Sequence, residues 1–266
     1  LRLSAHLRER PIPHLAAVEL CIGQDGSGAA ALEPTRRAPA AWGEGAEALL
    51  EIPGLRGVVV LPARRGRAPR LVGEPVVARP APGVPDLPLF LRPDVFAQAN
   101  AAANETLVRE AVDALSLQKG DEVLELFAGA GNFTFALAAR GARVTAVELE
   151  GSALGLARRA VSETPLAERI AFVPGEVRRE VERLVSEGRR FDHLLLDPPR
   201  TGAKEVVPEI ARLGPRRIAY VSCDPATLAR DLRILVAEGY RLVSAQPIDM
   251  FPQTYHVEGV ILLEKR

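Results

Sequence analysis

The chain has 266 residues, 47% of them hydrophobic, and its 34 basic and 34 acidic residues cancel to a formal charge of zero. That length sustains a full core in one large domain or in one domain plus a smaller one, and the balanced charge does not announce a nucleic-acid partner. No apolar run reaches the roughly 20 residues that cross a bilayer, and residues 1–13 are too charged for a signal peptide, so a cytoplasmic protein with no membrane partner is expected. Cys21 and Cys223 are the only cysteines and lie far apart, and His6, His14, His193 and His256 are scattered. Neither set has metal-ligand spacing, and no disulfide framework is expected.

In chain order, Leu15 to Ile22 reads as a strand, Asp25-Gly26-Ser27-Gly28 as a turn, and Ala29 to Leu32 as a second short strand. Ala40 to Glu51 reads as a short helix, Gly57 to Leu61 as a strand, Arg64 to Pro69 as a turn, and Arg70 to Val77 as another strand. Arg64, Arg65, Arg67 and Arg70 cluster in a chain whose basic charge is almost all arginine, a residue type suited to phosphate contacts. From Ala78 to Pro93 prolines recur every few residues, which reads as a linker or an extended crossover. A boundary near Pro85 then gives two domains: residues 1–85, a small α+β unit able to touch RNA, and residues 86–266.

Beyond it, helix and strand alternate. Asn104 to Leu115 is helical, with Leu107, Val108, Ala111, Val112 and Leu115 on one face and Asn104 as the N-cap. Strands are expected at Glu122–Leu126, Arg143–Val147, Ile170–Val173, His193–Leu196 and Ile218–Val221, which predicts an α/β fold, a doubly wound sheet. The final pair, Tyr240 to Ile248 and His256 to Glu264, has a connection too short for a parallel crossover, so its strands are antiparallel.

Chemistry-bearing residues gather at the strand ends. Leu126 to Thr134 is a strand end, a Gly-x-Gly turn at Gly129 and Gly131, and the start of a helix, the arrangement that brings backbone close to a nucleotide-like ligand. Glu148 ends the next strand at the spacing expected of an acid that grips ribose hydroxyls. Glu125, inside the first strand, and the antiparallel final pair favour S-adenosylmethionine over a dinucleotide. Asp197-Pro198-Pro199-Arg200 ends another buried strand on a carboxylate; a cap in a turn and a base-holding loop are equally good readings of it. Cys223 follows the apolar run Arg217 to Ser222, and alone it reads first as core filler, because free cysteine is among the most buried residue types. Gly129, Glu148, Asp197 and Cys223 nonetheless fall on one edge of one sheet, to which the antiparallel strand also returns Glu258.

With these residues assembled, the chain resembles the RNA uracil-5-methyltransferase family, whose members make 5-methyluridine in transfer or ribosomal RNA. The motifs that carry the resemblance are Phe96 to Asn100, Leu126 to Thr134, Asp197 to Arg200 with Gly202, Ser222 to Asp231, and Asp249 to Glu258. The resemblance implies a Rossmann-like methyltransferase sheet with an antiparallel last strand and S-adenosylmethionine as cofactor. It assigns Gln98, Phe127, Asn132, Glu148, Glu176 and Asp197 to the cofactor and site lining, Cys223 as nucleophile and Glu258 as general base. Thiolate addition at uracil C6 makes C5 nucleophilic toward the sulfonium methyl, so the site should favour the thiolate. The partner implied is RNA, rRNA or tRNA, met by a monomer. The family's N-terminal RNA-binding β-barrel and the cysteine cluster of its iron-sulfur members have no counterpart here, so no iron-sulfur cluster is expected in this chain. Leu1 is not a methionine, which suggests a piece of a longer product. Two other readings stay open: an amino-methyltransferase on an exocyclic nitrogen, which needs no thiol, and a non-catalytic RNA-binding or RNA-folding protein on the same fold.

Overall fold

The structure, a computed structural model, describes residues 2–35, 42–63, 67–254 and 256–266. It divides the chain into two compact units, Leu1–Pro80 with Pro88–Ala97, and Ala81–Leu87 with Gln98–Arg266.

The first unit begins with helix α1 (Arg2–Glu9), in a stretch read from sequence only for targeting signals, and continues through β1 (Leu15–Ile22), β2 (Gly28–Pro34), α2 (Gly43–Ala48) and a 3-10 turn at Leu49–Glu51 to β3 (Leu55–Val60) and β4 (Arg70–Gly73). Its sheet has the order β1-β2-β3-β4. The turn between β1 and β2 forms because Asp25 accepts hydrogen bonds from the Ser27 amide at 2.9 Å and hydroxyl at 2.6 Å. Leu32, Trp42, Leu49, Val58 and Val72 make the core, and the Trp42 indole donates to the Pro13 carbonyl at 2.8 Å. Arg64 and Arg65 lie outside the described residues; Arg70, from the same cluster, pairs with Glu47.

The proline-rich stretch read as a linker is a hairpin, formed by β5 (Val77–Ala81) and β6 (Val84–Leu91). Both strands of a two-stranded ribbon are edges, where proline's missing N–H can face away from the ladder, so Pro80, Pro85 and Pro88 are accommodated in regular structure.

The second unit alternates α3 (Ala101–Leu115), β7 (Glu122–Leu126), α4 (Thr134–Ala139), β8 (Arg143–Glu148), α5 (Gly151–Val161), β9 (Ile170–Pro174), α6 (Val177–Ser186), β10 (His193–Leu196), α7 (Val207–Leu213), β11 (Arg217–Ser222), α8 (Pro225–Ala237), β12 (Tyr240–Ile248) and β13 (Glu258–Lys265). The seven-stranded sheet has the order β12-β13-β11-β10-β7-β8-β9. Neighbours from β11 through β9 are parallel, and β13 runs antiparallel to both β11 and β12. Leu124, Leu126, Leu194, Leu196, Ile218 and Tyr220 point to the face covered by α6, α7 and α8, burying Val181, Leu184, Val207, Ile210 and Leu235. Alternation along a strand then sends Glu125 to the opposite face.

Helix α3 starts earlier than its sequence suggests. Its N-cap is Asn100, whose side chain accepts from the Ala103 amide at 3.1 Å while its Nδ2 donates to the Met250 carbonyl at 3.2 Å. Asn104, expected as the cap, is buried inside the helix. Asn100→Ala should cost about 1 kcal/mol for the cap and about 1 kcal/mol for the bond to Met250. A urea-unfolding midpoint unchanged from wild type would contradict this assignment.

Candidate active site

The register of the central strands sets the level of the site. Leu126 pairs with Val147 and Leu196, and Leu196 pairs with Tyr220, so Phe127, Glu148 and Asp197 emerge together at the carboxyl edge. Ser222 pairs with Gly259 across the antiparallel neighbour, which sets Glu258 beside Cys223.

The glycine loop begins with a strained residue. Phe127 has φ of 63°, an uncommon, strained conformation for a bulky residue. Gly131 has φ of 98°, and a Cβ there would lie 2.4 Å from the Phe135 ring, so this glycine serves packing as much as ligand approach. Asn132 and Asn104 exchange two amide hydrogen bonds, at 2.7 and 3.0 Å, tying the loop to α3. Glu148 accepts from the Gly129 amide at 2.9 Å with one carboxylate oxygen and from the Glu150 amide at 2.8 Å with the other. The loop and the expected ribose-binding acid are thus one hydrogen-bonded unit.

The other expected cofactor residues differ in placement. Gln98 is half-buried, two residues before the α3 cap. Glu176 is exposed and caps α6, accepting from the Arg178 and Arg179 amides at 3.0 Å each. Its carboxylate is engaged by its own helix, and the structure does not draw it into the cluster around Asp197.

Asp197, Glu258 and Cys223 form that cluster. Desolvation, then the charge of Glu258, pushes Asp197 up to about 7. Burial also raises Glu258, with the Arg200 guanidinium acting against it. The Cys223 thiol is raised above its ordinary value by burial and next by Glu258, while the Arg200 guanidinium acts against the rise. A site that favours thiolate, expected from the chemistry, is therefore not what the free protein holds: burial and a neighbouring carboxylate outweigh the single cation. Sequence reading passed over Arg200 as a functional residue, although it closes the Asp-Pro-Pro-Arg motif. Its Nη2 also approaches His256 Nδ1 at 3.4 Å.

Beneath the glycine loop lies Glu125, fully buried, with no well-formed hydrogen bond to either carboxyl oxygen among the described residues. Desolvation first, then the charges of Asp197 and Glu148, pushes it up to about 8, with Thr134 acting against the rise. Buried carboxyl groups around a backbone-lined loop suit a ligand that carries positive charge, as a sulfonium with an amino group does. Among the described residues no group of three or more His, Cys, Asp or Glu could hold a metal, and no helix is long and apolar enough to cross a membrane.

Parallel strands with one antiparallel strand set inside the edge, a glycine loop after β7 and an acid at the end of β8 define a Rossmann-like S-adenosylmethionine-dependent methyltransferase fold. The chain belongs to the tRNA (uracil-5-)-methyltransferase family, whose model matches residues 90–266. It is 41% identical over 174 residues to the 23S rRNA (uracil(1939)-C(5))-methyltransferase RlmD of Dechloromonas aromatica, covering 65% of this chain and 40% of that protein. It is 43% identical over 187 residues to RlmD of Thiobacillus denitrificans, covering 69% and 43% of the two chains. The chain thus spans about two fifths of the length of these curated relatives. The Pyrococcus abyssi tRNA (uracil-54, C5)-methyltransferase, solved with S-adenosyl-L-homocysteine, superposes with a TM-score of 0.73 at 25% identity, covering 98% of this chain and 65% of that one. Methanocaldococcus jannaschii tRNA m1G37 methyltransferase shares the fold, at a TM-score of 0.60, 14% identity and coverage of 100% and 78%.

A carboxyl raised on folding stabilises the fold below its unfolded value of 4.5 and loses that contribution as pH rises through its folded value of about 8. Wild-type stability should therefore fall between pH 5 and 8 by on the order of 3–4 kcal/mol through Glu125, and Glu125→Gln should lack that component. Urea unfolding of both proteins at the two pH values measures it; parallel pH profiles would refute it.

Proposed function

We propose that this chain transfers a methyl group from S-adenosylmethionine to C5 of a uridine in RNA, through a transient bond between Cys223 and C6 of the base. The observation that carries the proposal is the meeting of Cys223 and Glu258 on neighbouring strands, beside Asp197 and the Glu148-bound glycine loop. Phe127, Asn132, Glu148 and Gln98 would hold the cofactor, and Asp197 would line the place where cofactor and base meet. Glu176 would contribute only by leaving its helix cap.

S-adenosylmethionine, when bound, supplies an electrophilic methyl group. The protein's own part is to make uracil C5 electron-rich. Cys223, after its thiol has lost its proton to solvent, forms a bond to C6 as the thiolate, and the ring electrons move toward C5 and the O4 carbonyl. After methylation Glu258 takes the C5 proton, the C5–C6 double bond re-forms, and the C6–S bond breaks to return the thiolate. Asp197, raised to about 7, has both protonation states within reach near neutrality, which suits hydrogen bonding to the uracil edge. Such a pocket requires the base to leave its stack. The 41–43% identity to rRNA enzymes, against 25% to the tRNA enzyme, favours rRNA as the substrate.

RNA containing 5-fluorouracil should trap Cys223, because fluorine cannot leave as a proton does. Cys223→Ala should abolish both the adduct and methylation; full methylation by that variant would shift the reading to amino-methylation. Glu258→Gln should slow turnover by roughly 10²–10⁴-fold and accumulate the covalent species. Intact function in Glu258→Gln without an adduct would favour a non-catalytic RNA-binding role.

The pH dependence follows from the thiol. Because burial and Glu258 raise the thiol above its ordinary value, the thiolate fraction should still be growing at the alkaline end of the range from pH 7 to 9. Adduct formation should accelerate across that range, with no plateau below pH 9, as read from single-turnover trapping rates.

A further inference from the structure

The segment after Asp197 is held by a set of side chains that the proposed chemistry leaves unused. Helix α8 begins directly after Cys223 and Asp224. Thr227 donates from its hydroxyl to the Arg200 carbonyl at 3.1 Å. One turn further, Arg230 donates from Nη2 to the Thr201 carbonyl at 2.9 Å. Asp231, fully buried, accepts from the Ala203 amide at 2.6 Å and from the Tyr220 hydroxyl at 2.8 Å with one oxygen. Its other oxygen takes the Arg230 guanidinium at 2.8 Å. Three consecutive stations of one helix therefore grip the backbone of the loop at Arg200, Thr201 and Ala203.

Between these stations Gly202 lies against the helix with φ of 73°, and a Cβ there would stand 2.5 Å from Arg230 Nη2, 2.6 Å from Asp231 Oδ2 and 3.1 Å from Thr227 Cβ. A larger residue here would have to push aside the Arg230 and Asp231 side chains that make the bonds to the loop, and would be strained at this φ. The loop begins at Asp197 and carries Arg200, whose side chain approaches His256 at 3.4 Å and whose positive charge acts on the thiol. A buried carboxylate with four donors is an expensive arrangement to assemble for a surface turn, since loss of one partner leaves a desolvated charge. Its geometric effect is to fix the distance from the helix that follows the nucleophile to the loop that carries the cation.

We propose that Thr227, Arg230 and Asp231 are positioning residues that clamp the Asp197–Ala203 loop to α8 and so hold the Arg200 guanidinium against the Cys223 thiol. The inference rests on the reading of Cys223 as nucleophile but is tested without RNA. The assay is the rate of iodoacetamide alkylation at Cys223 as a function of pH, in a Cys21→Ser background, with the modified residue identified by mass spectrometry. Arg200→Met sets the benchmark, because it removes the cation directly and should move the alkylation midpoint upward. Gly202→Ala should move the midpoint in the same direction and by a comparable amount although Arg200 is intact, and Thr227→Val should move it less. Circular dichroism monitors folding; if Gly202→Ala does not fold, Thr227→Val decides alone. An unmoved midpoint in the clamp variants, with Arg200→Met shifted, overturns the clamp. An unmoved midpoint in Arg200→Met overturns it as well, because the clamp then has nothing to deliver. Uracil methylation, assayed separately on the Cys21→Ser protein, reports on the catalytic reading itself.

Discussion

Carboxyl groups crowd the place where the parallel strands end, and their removal from water governs much of what the site can be. Glu125, Asp197 and Glu258 are all driven toward their neutral forms chiefly by burial, the charge of Glu258 adds to the rise of Asp197, and both act on Cys223. Such a cluster persists because the sheet above it is deeply apolar and because two positive features offset it. One is the backbone N–H array of the glycine loop, which Glu148 engages. The other is Arg200.

Rigidity is distributed accordingly. Asn104 and Asn132 lock the glycine loop to α3, Asn100 ties the start of that helix to Met250 in the connection leading to Glu258, and α8 grips the loop after Asp197. These three segments of the carboxyl edge are each bound to a helix by side-chain hydrogen bonds. The chemistry needs small displacements of protons and electrons within a fixed frame, and the hydrogen bonds are spent on the frame.

Much of this was legible in the sequence because buried parallel strands are short continuous apolar runs, and these end where the chemistry-bearing residues begin. Ile218 to Val221 and Leu194 to Leu196 could hardly be anything else, and Tyr240 to Ile248 keeps the limits the sequence suggested. Other features depended on partners distant in the chain. Asn104 has the residue type of a cap, and only the proximity of Asn132, distant in sequence, shows that its side chain is engaged elsewhere while Asn100 caps the helix. The prolines of residues 78–93 argue against regular structure in general but not against a ribbon with two free edges. The raised thiol of Cys223 could not be read locally, since it depends on Glu258, 35 residues on, and on burial. Glu176 has the type and place of a ligand acid, yet a helix beginning just after it offers two amides at shorter range.

The position of β13 carries a further consequence. This strand follows β12 in the chain but lies between β12 and β11, so β12 joins the sheet through β13 alone. The β11–β13 pairing that carries the sheet past its last parallel strand is therefore also the contact that seats Glu258 beside Cys223: the one antiparallel ladder against the parallel strands is what brings together two side chains far apart in the chain.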